Sequence, residues 1–146
     1  PADVEEAVED VIAFMEGTCE KLSDTYGQVT LEDMGIHLMK LQPSPFAKIR
    51  SGEKTIELRL YDEKRQKIKV GDTILFTNNT TGEILKVNVV NIHRFSSFAE
   101  LYANLPLLRC GYTPENVDKA SPADMEAYYS PEQQEKYGVV GIEISL

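Results

Sequence analysis

Short runs in which apolar residues occupy every second position, fenced by glycines and prolines, recur along this chain from Ile36 to its last residue. A period of two is the spacing of one face of a β-strand, because successive side chains point to opposite sides of the sheet. In "IHLMKL" (36–41), Ile36, Leu38 and Lys40 alternate with His37, Met39 and Leu41, and apolar residues on both faces predict a well-buried strand. In "IELRL" (56–60), Ile56, Leu58 and Leu60 share one face, while Glu57 and Arg59 lie on the other in line with Thr55. Further strands are predicted at Thr73 to Thr77 after a Gly71-Asp72 turn, from Ile84 to about Phe95 after Gly82, and in the closing "VVGIEISL". Short helices are predicted between them. "PSPFAKIRSG" offers Ser44 as N-cap, Pro45 at the first helical position, Phe46 and Ile49 pointing inward and Gly52 as the stop. "SSFAELYANL" has a serine cap, and Ser121-Pro122 and Ser130-Pro131 open two more segments, the second with Gln133 in the capping-box position and Gly138 at its end. The predicted class is α+β: a mixed sheet or small barrel of about five or six strands with short inserted helices.

The first 35 residues differ in kind. Val4, Val8, Val11, Ile12, Met15, Cys19 and Leu22 recur at steps of three and four, predicting an amphipathic helix that Asp3 caps and that Gly17 interrupts as an interior flaw. Residues 23–35 read as a connector. This front piece holds ten acidic groups and one basic group, Lys21, and so carries the whole formal charge of -9; residues 36–146 hold fourteen of each sign. A polyanionic partner is repelled by that total but not by its distribution, since residues 40–69 carry nine Lys or Arg against four Asp or Glu. The division predicted is an acidic helical extension and connector (1–35) followed by one domain (36–146). The helix is expected to pack on its own chain, with a protein partner as the alternative.

Several function classes find no support. Cys19 and Cys110 belong to no metal-ligand or redox spacing, and Arg109-Cys110 is a thiol beside a cation with no base in view. His37 and His93 both fall in predicted strands and can approach each other, but two histidines without a third ligand more often occupy ordinary strand positions than bind zinc. Tyr128, Tyr129 and Tyr137 can stack on bases, yet at this spacing they more often cover a barrel. There is no phosphate loop. No metal and no cofactor is predicted. The acidic start and the lack of any apolar run near the roughly 18 residues of a membrane span predict a cytoplasmic protein with no membrane partner.

The segment "GEKTIELR", with the preceding strand and short helix, the "VGDTILF" turn and strand, and the terminal "YGVVGIEI", resembles the ASCH domain of the PUA-like β-barrel superfamily. That family's G-x-K-x-x-E-x-R element is matched by Gly52, Lys54, Glu57 and Arg59, and the resemblance runs from about Ile36 to Leu146. It implies a PUA-like barrel with a cleft beside it, floored by these residues, that binds RNA or a small nucleoside-like ligand. It also implies a rival, because some small relatives are amidohydrolases acting on acetylated cytidine through a Lys, a Thr three residues on and a distant Glu. Lys54 matches the first position, Glu57 stands at the second with Thr55 nearby, and Glu100 and Glu115 are candidates for the third.

Physically, Glu57 and Arg59 project from one strand about 7 Å apart. A guanidinium can grip a phosphate or carbonyl in a fork, and a carboxylate can accept the amino hydrogens of a base. Lys54 can neutralise a phosphate or, desolvated, act as a base. Gly52 permits a close backbone approach. Lys48, Arg50, Lys64, Arg65, Lys67 and Lys69 supply an electrostatic lead-in. The competing structural reading is an exposed strand whose alternating charges pair across the sheet, each worth under about 1 kcal/mol.

Overall fold

The structure, a computed structural model, describes residues 2–15 and 31–146. Gly17, Cys19, Leu22 and residues 23–30 of the connector lie outside the described residues. The elements in chain order are α1 (Ala2–Met15), β1 (Ile36–Leu41), α2 (Pro43–Ser51), β2 (Ile56–Leu60), β3 (Thr73–Asn78), β4 (Ile84–Phe95), α3 (Phe98–Asn104), α4 (Pro131–Tyr137) and β5 (Val139–Ser145), with short 3-10 turns between some of them.

Among the described residues the strands form one sheet in the order β1-β3-β4-β5-β2. β1 runs parallel to β3, which a tight hairpin cannot achieve, and the chain crosses over through α2 and β2 to make the return. The remaining pairs are antiparallel. The sheet curls into a half-barrel with helices around it, an α+β arrangement in which its two edge strands, β1 and β2, approach without pairing. The Arg59 guanidinium on β2 crosses this seam and donates from Nη2 to the Lys40 carbonyl on β1 at 2.8 Å.

Three apolar clusters hold the curl. Met39, Leu41, Ile74, Phe76, Val87, Val89, Val140, Ile142 and Ile144 fill one side of the sheet, with Phe46 and Ile49 of α2 packed among them. On the other side of β2, Ile56, Leu58 and Leu60 pack with Phe98 and Leu101 of α3, Cys110 and Val139. Val8 and Val11 of α1 cover Ile36 and Leu75. The acidic helix therefore packs its apolar stripe on its own chain.

Most helix signals act where the sequence places them. Ser97 caps α3 by accepting from the Glu100 N–H, and Ser121 and Ser130 both close capping boxes. The Ser121 box opens a 3-10 segment, Pro122–Ala127, in place of an α-helix. Two expected boundaries are corrected. Asp3 lies within α1, one residue past its start, and not at the capping position. Ser44 and Pro45 do not start α2: the helix begins two residues earlier at Pro43, whose missing N–H costs nothing in a first turn, and Gln42 is extended as a residue before proline must be.

Candidate functional site

β2 pairs with β5 so that Glu57 stands opposite Ile142 and Arg59 opposite Val140. Directly opposed residues share a face, so these two charged side chains point toward the first apolar cluster while Ile56, Leu58 and Leu60 point toward α3. Lys54 is brought to them by the end of α2. Gly52 adopts the left-handed conformation (φ 85°), which favours glycine, and after that turn the Lys54 N–H donates to the Lys48 carbonyl at 3.0 Å. Glu57 then lies between two cations: Lys54 Nζ is 2.7 Å from Oε1, and Arg59 Nε donates to Oε2 at 2.7 Å.

All three are sheltered, with Glu57 3% exposed and the Lys54 and Arg59 side chains 10% and 13% exposed. The reading of an exposed strand with paired surface charges is therefore overturned. Burial by itself would push the Glu57 carboxyl up, but Lys54 and Arg59 together outweigh it and hold the group at about 2. Burial pulls the Arg59 guanidinium down, and the Glu57 carboxylate and the Tyr129 phenol raise it by more.

The three residues line a cleft of about 510 Å³ at the open seam of the barrel. Lys40, Leu41 and Gln42 from β1 and its end, with Ser44, Pro45 and Lys48 from α2, form one wall. Residues from the stretch between α3 and α4, among them Gly111, Tyr112, Asn116, Asp124, Met125, Tyr128 and Tyr129, form the facing wall together with Tyr102 of α3. Lys48 ties the two walls by donating from Nζ to the Gly111 carbonyl at 2.8 Å. Gly111 (φ 110°) approaches the Lys54 stem so closely that an added Cβ would meet Lys54 Cδ at 3.4 Å. Across the cleft, the Tyr102 and Tyr112 hydroxyls are 2.7 Å apart, and Tyr112 donates to Asp124 Oδ2 at 2.7 Å. The cleft lining carries four cations, Lys40, Lys48, Lys54 and Arg59, against the carboxylates of Glu57 and Asp124.

Most of the other residues singled out in the sequence lie elsewhere. Gly52 turns the chain beside the cleft, but a Cβ there would meet nothing within 4 Å, so its role is conformational and not a close approach. Thr55 faces away: its hydroxyl accepts from Arg109 Nε at 2.8 Å and its N–H donates to the Arg109 carbonyl. Of the basic lead-in, Lys48 lines the cleft, whereas Arg50 pairs with Glu83 and Arg65 with Asp62; Lys64, Lys67 and Lys69 also stand outside the lining. Glu100 bonds Ser96, and neither it nor Glu115 lines the cleft. Cys110 borders the cleft, but burial pushes its thiol up to about 11, as befits a packed thiol. The histidines do not meet: His37 on β1 bonds Asp72 and His93 on β4 bonds Glu143, each at 2.8 Å. The register aligns His37 with Ile74 and Ile74 with Val87, six residues along β4 from His93. Among the described residues no three His, Cys, Asp or Glu side chains gather to hold a metal ion, and no helix is long and apolar enough to cross a membrane.

Residues 39–146 match the family model of the ASCH domain. Among solved structures, the chain is 38% identical to "hypothetical protein PH0355", covering 75% of this chain and 97% of that one at a TM-score of 0.63. It is 36% identical to protein PF0455 from Pyrococcus furiosus, covering 75% and 96% at a TM-score of 0.57. A point mutant of the ASCH protein from Zymomonas mobilis shares the fold at 11% identity, with 77% and 70% covered and a TM-score of 0.56. No curated protein matches the chain.

Proposed function

The chain belongs to the ASCH domain family, and from that premise we propose that it binds RNA or a free nucleoside-like ligand with one base seated in the cleft between β1 and β2. The observation that carries this reading is the sheltered Lys54–Glu57–Arg59 group on the cleft floor. Ions of both signs held out of water are expensive to assemble and are satisfied by mutual pairing or by a polar ligand. The cleft volume lies within the range of roughly 300–1,000 Å³ usual for small-molecule sites. Tyrosines on its far wall offer π-faces for stacking, and Lys40 and Lys48 offer charge to a phosphate.

Hydrolysis of an acylated nucleoside is less well supported. A carboxyl held at about 2 is a weak proton acceptor at neutral pH, which argues against Glu57 as general base, and the Thr55 hydroxyl is committed to Arg109 outside the cleft. A protein partner on the apolar stripe of α1 is disfavoured because Val8 and Val11 are already covered by Ile36 and Leu75. The test is titration of the chain with nucleosides and a short single-stranded RNA. Saturable binding is expected, weakened about tenfold or more by Arg59→Ala, which removes a charged donor from the cleft floor. Equal affinity of the variant, or no binding of either ligand, overturns the reading. A panel of acylated nucleosides is expected to show no release of acid.

A further inference from the structure

The wall facing Lys54, Glu57 and Arg59 carries a chain of hydroxyls whose hydrogens can be ordered. Tyr112 donates to Asp124 Oδ2 at 2.7 Å. A phenol has one hydrogen, so the 2.7 Å contact between Tyr112 and Tyr102 is made with the hydrogen of Tyr102. Asp124 cannot reverse this order while ionised, and its bond from Tyr112 keeps its carboxyl below the usual carboxylate range. Both phenols are raised above theirs, first of all by burial, and so keep their hydrogens at neutral pH. Asp124 is itself fixed, because Oδ2 also accepts the Ser121 N–H at 3.2 Å in the capping box. The ring geometry agrees, with Tyr102 and Tyr112 meeting edge to face at 5.9 Å between centroids.

The consequence falls on Tyr102. Its only hydrogen is spent on Tyr112, and among the described residues nothing donates to its oxygen, which is left as an acceptor in a residue that lines the cleft. We propose that Tyr102, its hydroxyl oriented by Tyr112 and Asp124, presents an acceptor and no donor to the cleft, so that a base edge seated against it is selected for an N–H donor over a carbonyl. This rests on the base-binding reading above and names the chemistry that reading leaves open. A carbonyl placed against the Tyr102 oxygen sets two acceptors face to face, and a site built to pair one polarity rejects the other strongly.

The experiment is calorimetric titration of the full chain with two nucleoside pairs that differ by amino against keto at one ring position: cytidine with uridine, and adenosine with inosine. The amino member of at least one pair is expected to bind about tenfold or more tightly than its keto partner. Tyr112→Phe releases the Tyr102 hydrogen toward the cleft, so the keto member should bind more tightly than it does to the unaltered protein and the ratio should fall toward one. Asp124→Asn keeps an oxygen in the accepting position and should retain the preference. Tyr102→Phe should lower the amino member alone. A merely structural role for Tyr112 would weaken both members together, and that result, or a ratio unchanged in Tyr112→Phe, overturns the proposal. Equal affinity within both pairs for the unaltered protein overturns it while leaving the base-binding reading in place; failure of all four nucleosides and of single-stranded RNA to bind overturns both. Thermal melting of each variant identifies any change that comes from loss of fold.

Discussion

Glu57 shows what a single residue contributes when it is placed between partners. Its carboxyl is held at about 2 in the folded protein against 4.5 ordinarily, so the folded state binds its proton less readily than the unfolded chain does. A depressed folded value means that the group stabilises the fold fully above the unfolded value and loses that contribution as the pH falls from about 4.5 toward 2. The gap corresponds to about 3 kcal/mol. Glu57→Gln removes the charge and leaves Lys54 and Arg59 sheltered without it. Denaturant unfolding at pH 7 is expected to show the variant less stable by about that amount, with the two proteins converging as the pH falls from about 4.5 toward 2. A constant difference across this range would mean that the cost comes from packing and not from charge. Glu57 and Arg59 were legible in the sequence because period two places them on one face, and Lys54 through its place in the G-x-K-x-x-E-x-R element. Their burial was not legible, since alternation specifies a shared face without saying whether that face meets water. Tyr102, Tyr112 and Asp124 carried no signal at all: they stand on segments with no common periodicity, and Asp124 reads locally as the acid of a capping box.

Elements were easier to read than their ends. Strand positions followed from alternation, and the parallel pairing of β1 with β3 did not, because nothing in either strand records which neighbour it takes across a crossover. α2 moved by two residues because two prolines compete to open it, and the earlier one satisfies the first turn equally well. Two left-handed glycines at element ends allow a prediction at this scale. Gly35 (φ 76°) leads into β1, and a Cβ there would lie 2.8 Å from Asp72 Oδ1. Asp72 holds the buried His37 through Oδ2 and also accepts the Lys69 N–H. Gly52 (φ 85°) ends α2 with nothing within 4 Å of the same position. Alanine at Gly52 is expected to cost only the left-handed backbone, about 1 kcal/mol. Alanine at Gly35 should cost that and the displacement of Asp72 from His37, for about 2–3 kcal/mol in all. Thermal unfolding of the two variants measures the difference; equal losses would show that Asp72 moves aside freely.

At the scale of the whole molecule, the charge pattern and the curl of the sheet act in opposite senses. The formal charge of -9 opposes the approach of RNA, yet among the described residues none of the acids of residues 1–35 lines the cleft. α1 sits over Ile36 and Leu75, whereas the cleft opens at the seam between β1 and β2. The positive charge at that seam is modest. Glu57 and Asp124 offset two of the four cations Lys40, Lys48, Lys54 and Arg59, which leaves a net charge of two at the lining, enough for about two phosphates. Single-stranded RNA binding is therefore expected to weaken by roughly 1.4 logarithmic units per tenfold rise in salt, the slope being about -0.7 for each phosphate neutralised. Lys48→Ala should make that slope shallower by about 0.7 while also releasing the Gly111 wall it bonds. Fluorescence titration of a labelled oligoribonucleotide at several salt concentrations measures both. A slope near zero would place the whole interaction on the base and none on the backbone. One much steeper than this would require the basic residues beyond the cleft, Lys64, Lys67 and Lys69, to belong to the binding surface, making the seam only the centre of a wider footprint.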